Sequence, residues 1–141
     1  MSFRNIADIA GSAMNAQSVR LNTVASNLAN ANTAAGSEAD VYRARKPVFA
    51  AVADRHGLSG EQIAGASVRV LDVVQSTEPV RKAFEPDNPL ANEEGVVFYP
   101  NVNPVAEMTD MMAASRAFET SVEVMSRVRS MQQSLLRMGE E

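Results

Sequence analysis

Residues 103–139 read NPVAEMTDMMAASRAFETSVEVMSRVRSMQQSLLRMG, and this stretch decides the fold. Asn103 is a residue type that caps a helix by accepting from the first free backbone N–H groups, and Pro104 brings the fixed φ favoured at the first helical position. Glu107 and Asp110 stand early, where the helix dipole favours anions; Arg127, Arg129 and Arg137 stand late, before Gly139, a residue suited to ending a helix. Both ends therefore predict one helix and its direction. Met111, Ala114, Phe118, Val122, Met125, Val128, Met131, Leu135 and Met138 recur in steps of three and four and predict one apolar stripe. At ~1.5 Å per residue the helix is on the order of 50 Å long. A compact core of this chain length does not cover that stripe from end to end, so its partner is another helix, from the same chain or from another copy.

The N-terminal stretch supplies a matching element. Ser2 can cap a helix running to about Asn30, in which Ala7, Ala10, Met14, Gln17, Leu21, Val24, Leu28 and Ala31 keep a heptad spacing for more than three repeats. Gln17 is the polar interruption; it either fixes register or marks a looser first half of the seam. The alanines permit close approach of a partner but bury little area, so an isolated copy is weakly held. Asn15 and Asn22 flank the seam, with Asn5, Asn27, Asn30 and Asn32 towards its ends. These amides suit register-fixing contacts, or equally the exposed face and caps of a helix.

Between the helices the pattern changes. Residues 33–40, TAAGSEAD, lose periodicity and read as a flexible connection. Arg43, Arg45 and Lys46 precede Pro47 and the β-compatible run Val48–Val52, with the proline favouring an edge or a strand start. The basic cluster suits an acidic partner surface or simple solvation. Residues 55–65 contain Gly57, Gly60 and Gly65 and read as a hairpin or longer loop. Residues 68–73, 79–84 and 96–99 follow as extended pieces, with a turn at Pro86-Asp87-Asn88-Pro89. The expected fold is mainly α with a small β insert: helices over 1–32 and 103–141 pair as one coiled-coil-like axial domain, and 33–102 form a linker and β-rich insert. A helix bundle without strands is the alternative.

Composition narrows the function. Of 141 residues 45% are hydrophobic but only 5% aromatic, with no Trp, and much of the apolar content is Ala and Met, which suit helix seams and adaptable contacts. The net charge of −4 favours neither nucleic acid nor anionic lipid. With no cysteine there is no disulfide and no thiolate chemistry. His56 is a lone histidine beside Gly57 and reads as an exposed loop residue. Glu93 and Glu94 read as surface acids beside the Gly95 turn, since the alternating ligands of a calcium loop are missing. Gly57, Gly60 and Gly65 lack the lysine and strand-to-helix setting of a phosphate loop. The expectation is no enzyme, no cofactor and no metal. Residues 1–17 show no cleaved secretory leader and no stretch is a membrane span, which by these rules alone predicts a cytoplasmic protein.

Three stretches together resemble one family. Residues 26–33, SNLANANT, resemble the asparagine-rich N-terminal motif of bacterial flagellar axial proteins, the rod and hook components. Residues 79–82, PVRK, followed by 92–103, NEEGVVFYPNVN, resemble the region specific to one proximal-rod member of the basal-body rod family. Residues 105–112, VAEMTDMM, and 115–119, SRAFE, are similar to the C-terminal axial motif. The resemblance implies a structural subunit of the flagellar rod, crossing the periplasm and transmitting torque, exported through the flagellar type III apparatus without a cleaved signal. Its implied partners are further copies of itself, other rod and basal-body proteins and the export apparatus, with no nucleic acid and no membrane insertion. Seams and motifs together set an expected assembly interface: Met14, Leu21, Val24, Asn27, Leu28, Asn30, Asn32, Met108, Met111, Met112, Arg116, Phe118, Val122, Met125 and Leu135. Without the resemblance, the same helices and the same lack of chemistry would also suit a soluble coiled-coil adaptor that displays the β module to a regulatory partner.

Overall fold

The computed structural model describes residues 3–54 and 65–139. The capping role expected of Ser2 and the loop expected over 55–64, with His56, lie outside the described residues. Two helices enclose the β region in sequence: α1 (Phe3–Asn30), β1 (Arg45–Asp54), β2 (Gly65–Gln75), β3 (Arg81–Phe84), β4 (Val96–Tyr99) and α2 (Pro104–Met138). β1 bonds β2 in one two-stranded sheet and β3 bonds β4 in another. A mainly helical chain with a small β insert is thus what forms.

The ends of α2 follow from the residues that predicted them. Asn103 Oδ1 accepts from Val105 N at 3.1 Å and Ala106 N at 3.3 Å, and its carbonyl accepts from Glu107 N at 3.0 Å. Pro104, having no N–H, leaves no donor to satisfy there. At the other end Gly139 N donates to Leu135 O at 3.2 Å and Leu136 O at 3.1 Å, satisfying carbonyls that the helix leaves free.

By contact density the chain falls into two compact units, to each of which both helices contribute. One comprises Met1–Val19, Val48–Asp72 and Ala113–Glu141; the other comprises Arg20–Pro47 and Val73–Met112. In the first, the buried side chains on the helices are Ala10, Ala16, Ala114 and Val128, small groups that let backbones approach closely. A Cβ added to Gly11 would lie 3.9 Å from Met125 Cε. Ser12 Oγ donates to Ile9 O at 2.8 Å and accepts from Val68 N at 3.1 Å, so one hydroxyl ties β2 to α1. Gln17 Oε1 is buried without a hydrogen-bond partner among the described residues, at a cost of about 1–3 kcal/mol. The seam's polar interruption therefore costs stability in the single chain.

The second unit holds the apolar cluster Val41, Val80 and Phe98, with Ala35 and Val96 packed against it. β3 and β4 pair antiparallel from Arg81↔Tyr99 to Phe84↔Val96. Their connection turns on Asn92, whose Oδ1 accepts from Glu94 N at 3.0 Å and Val96 N at 2.8 Å, and on Gly95 at φ 72°, a conformation that glycine adopts without Cβ strain. Residues 33–40 are not the loose connection expected from their lost periodicity. Ala35 exchanges two 2.9 Å bonds with Phe98 on β4, and Ser37 Oγ donates to Asp40 at 2.7 Å. A two-bond bridge carries no periodic signal, which is why the sequence pattern passed it over.

The apolar stripe of α2 also departs from expectation. Met111, Phe118 and Met125 are half-buried and Ala114 and Val128 buried, but Val122 is exposed and half-buried Ser121 takes the inward position. Inward residues 111, 114, 118, 121, 125 and 128 alternate steps of three and four, whereas choosing the more apolar neighbour had moved one step out of phase. Met131, Leu135 and Met138 are exposed. On α1 and just after it the expected positions face inward: Ala10, Val24 and, one residue past the helix, Ala31 are buried, and Ala7, Met14, Gln17, Leu21 and Leu28 half-buried.

Candidate assembly interface

The second unit is joined by side chains that α1 directs at the starts of β1 and α2. Asn27, 1% exposed, has its amide fully used. Its Oδ1 accepts from Arg45 N and Tyr42 Oη, each at 2.9 Å, while Nδ2 donates to Arg45 O at 2.8 Å and Glu107 Oε2 at 3.0 Å. The planar amide thus pairs with both polar groups of Arg45, as a neighbouring strand would. Asn101 acts similarly one residue along: Oδ1 accepts from Ala44 N at 2.8 Å and Nδ2 donates to Glu78 O at 2.9 Å.

Two turns back on the inward face of α1, Arg20 forks onto both carboxylate oxygens of Asp110, Nε donating at 3.1 Å and Nη2 making the closer contact. This bond raises the guanidinium pKa above its ordinary value, against the opposing effect of burial. Such two-point geometry adds orientation as well as energy. Arg20 and Asn27, in chain order, thus meet Asp110 and Glu107 in reverse order, so within this unit the two helix segments run in opposite directions. The basic cluster behaves as solvated charge with local partners: Arg43 reaches Glu38 at 3.5 Å and Arg45 lies 5.5 Å from the Tyr42 ring centre. Tyr99 Oη donates to both Glu85 oxygens at 3.1 Å, and the adjacent carboxylate raises the phenol pKa above its ordinary value.

The residues expected at an assembly interface fall into two groups. Val24 and Asn27 are buried, and Met14, Leu21, Leu28, Asn30, Met111, Phe118 and Met125 are half-buried; Asn30 is further occupied by donating to Ser26 O at 2.8 Å. Asn32, Met108, Met112, Arg116, Val122 and Leu135 are exposed. Val105, Met108 and Met112, which the helical repeat places on one side of the first turns of α2, form an exposed apolar face, with Met108 at 56% and Met112 at 59% exposure. Arg20, Tyr42, Asn101 and Glu107 are the polar residues that pattern reading missed. Arg20 and Glu107 are charges at inward helical positions, and Tyr42 and Asn101 lie outside the helices, where no periodicity marks them.

Residues 8–34 match the family described as flagella basal body rod protein, and residues 93–138 match the C-terminal family of flagellar basal body rod FlgEFG proteins. The chain belongs to the flagellar basal-body rod protein family. Within it, the similarity extends end to end to proteins named flagellar basal-body rod protein FlgC. The chain is 44% identical to that of Escherichia coli O6:H1 and to that of Salmonella typhimurium, over 99% of this chain and 100% of each relative. It is 32% identical to that of Bacillus subtilis, over 94% of this chain and 95% of the relative. The expectation drawn from the asparagine, Pro-Val-Arg-Lys and Arg-Ala-Phe-Glu stretches is therefore borne out.

Proposed function

We propose that this rod-family subunit forms part of the proximal rod, assembles helically through its terminal helices and carries motor torque. The observation that carries the reading is the division of the helical surface. One set of residues closes the subunit on itself, and a second apolar set, Met108, Met112, Val122 and Leu135, stands exposed. Met14, Leu21, Val24, Leu28, Met111, Phe118 and Met125 serve the pairing of residues 1–32 with 103–141 as one coiled-coil-like axial domain. Met108, Met112, Val122 and Leu135, with Asn32 and Arg116, serve contacts with neighbours. A contact that joins two different surfaces does not close on itself and extends as a helix, and a large shared area resists sliding under load. The insert over 33–102 faces other rod parts. Export proceeds through the flagellar type III apparatus without a cleaved signal, to the rod in the periplasm. No helix among the described residues is long and apolar enough to cross a membrane, which suits a part of the axial structure. The function is mechanical and calls for no cofactor.

The test is mass spectrometry of detergent- and acid-washed basal bodies from a strain expressing the chain. The chain is expected to remain in the washed particle, and the double substitution Met108→Asp with Met112→Asp to remove it while leaving the isolated subunit folded. A chain found wholly in the soluble fraction would sink the proposal.

A further inference from the structure

Met108 and Met112 are held outward by the contacts that tie α2 to α1. Asp110 lies two residues from each, which puts it ~160° round the helix from both, and Arg20 of α1 grips Asp110 at two points. Glu107, bonded by Asn27 Nδ2 at 3.0 Å, lies one turn before Asp110 on the same tethered side. The polar ties therefore turn both thioethers away from α1 and into solvent. Their neighbour Met111 is half-buried, as are Met14 and Met125. The four-residue spacing of Met108 and Met112 sets the two side chains one turn apart, and with Val105, itself exposed, they make up one apolar face. Met131 and Met138 are exposed as well but stand two turns apart, so they form no such pair.

An exposed thioether is a soft nucleophile towards peroxides. The chain contains no cysteine, so no thiol within it reacts first. In the reaction the sulfur lone pair attacks one oxygen of hydrogen peroxide, an S–O bond forms and the O–O bond breaks. The departing hydroxide takes the proton left on the transferred oxygen and leaves as water. Sulfur loses two electrons and the peroxide gains them. The product sulfoxide is polar and chiral, so oxidation at both positions leaves only Val105 of the three side chains apolar, and the face loses most of its reason to leave water.

We infer that Met108 and Met112 are a paired oxidation site, at which a peroxide converts both thioethers to sulfoxides in the free chain and thereby bars it from assembly. A subunit already in place has this face covered and is spared. This rests on the rod reading above and adds a chemical control of the same face.

The test co-expresses two full chains in one strain, the native sequence and the double variant Met108→Leu with Met112→Leu. Leucine keeps the face apolar and close in volume but gives a peroxide nothing to oxidise. Hydrogen peroxide is added while new basal bodies form, and tandem mass spectrometry reads the sulfoxides in the soluble chains and the ratio of the two chains in washed basal bodies. Damage to every other protein acts on both chains alike and cancels in the ratio. The expected result is sulfoxide at Met108 and Met112 of the soluble native chain ahead of Met111, with a shift of the basal-body ratio on the order of tenfold towards the leucine variant. A ratio unmoved by peroxide, no sulfoxide at Met108 and Met112, or Met111 oxidised as readily as its two neighbours would each overturn the inference and leave the rod reading intact. A second variant, Met108→Gln with Met112→Gln, places polar groups there without any oxidant, and its entry into basal bodies at the native level would overturn the inference equally. Absence of the native chain from untreated basal bodies would instead overturn the rod reading.

Discussion

Asn27 shows how one amide can do the work of a strand. With four hydrogen bonds to Arg45, Tyr42 and Glu107, it has spent its whole donor and acceptor capacity inside the subunit. Asn27→Ala would leave the Arg45 N–H and C=O short of partners, while the Tyr42 hydroxyl keeps Ser26 Oγ at 3.2 Å, and is expected to lower unfolding free energy by about 3 kcal/mol, measured by urea denaturation. Asn27→Asp keeps the shape but sets a carboxylate against Glu107, and is expected to destabilise further at neutral pH and to recover part of the loss in acid, where one of the two carboxylates is protonated. Equal curves for Asn27→Ala and the native chain would show that water replaces the amide. Sequence reading left this asparagine open between a register-fixing contact and an exposed polar position of the helix, and also placed it in the expected assembly interface. It could not show which groups the amide meets, because Tyr42, Arg45 and Glu107 come together only through the fold.

Helix α1 carries a glycine at position 11, where a Cβ would meet nothing nearer than Met125 Cε at 3.9 Å. Gly11→Ala is therefore expected to stabilise the folded chain by about 0.5–1 kcal/mol, read as a raised midpoint in thermal unfolding; a lowered midpoint would mean that the helices cannot give even that distance. Element limits were legible wherever a backbone rule set them. Asn103, Pro104 and Gly139 marked the ends of α2, and β4 occupies the predicted Val96–Tyr99. β2 runs from Gly65 to Gln75, well beyond the predicted 68–73, because alternation weakens where both faces of a two-stranded sheet meet solvent. The α2 stripe was misread at Val122 because apolar character was followed where strict heptad spacing selected Ser121. Its end at Met131, Leu135 and Met138 is exposed in the single chain, because a sequence pattern shows which face is apolar, and not how far the partner helix reaches.

At the scale of the whole molecule the two units differ in what holds them. The unit of Arg20–Pro47 and Val73–Met112 has an apolar cluster, a bridged hairpin and the amide network. In the other, the buried helix residues are three alanines and Val128, and each alanine contributes little apolar area. In the free, dilute chain, hydrogen exchange is expected to be fast over 3–19 and 113–139 and slow over 20–47 and 73–112, with fast segments becoming protected in the assembled rod. Uniform protection of the free chain would show that the helix ends need no neighbours. The bridge between Ala35 and Phe98 has one more consequence. β4, which contains the fully buried Val97, is flanked by β3 on one side and by Ala35 on the other, so the most apolar strand of the insert offers little free edge to a stray chain. A concentrated solution of the chain is thereby shielded from amyloid-like growth at that strand, and any such fibre would be seeded from the β1–β2 ribbon instead.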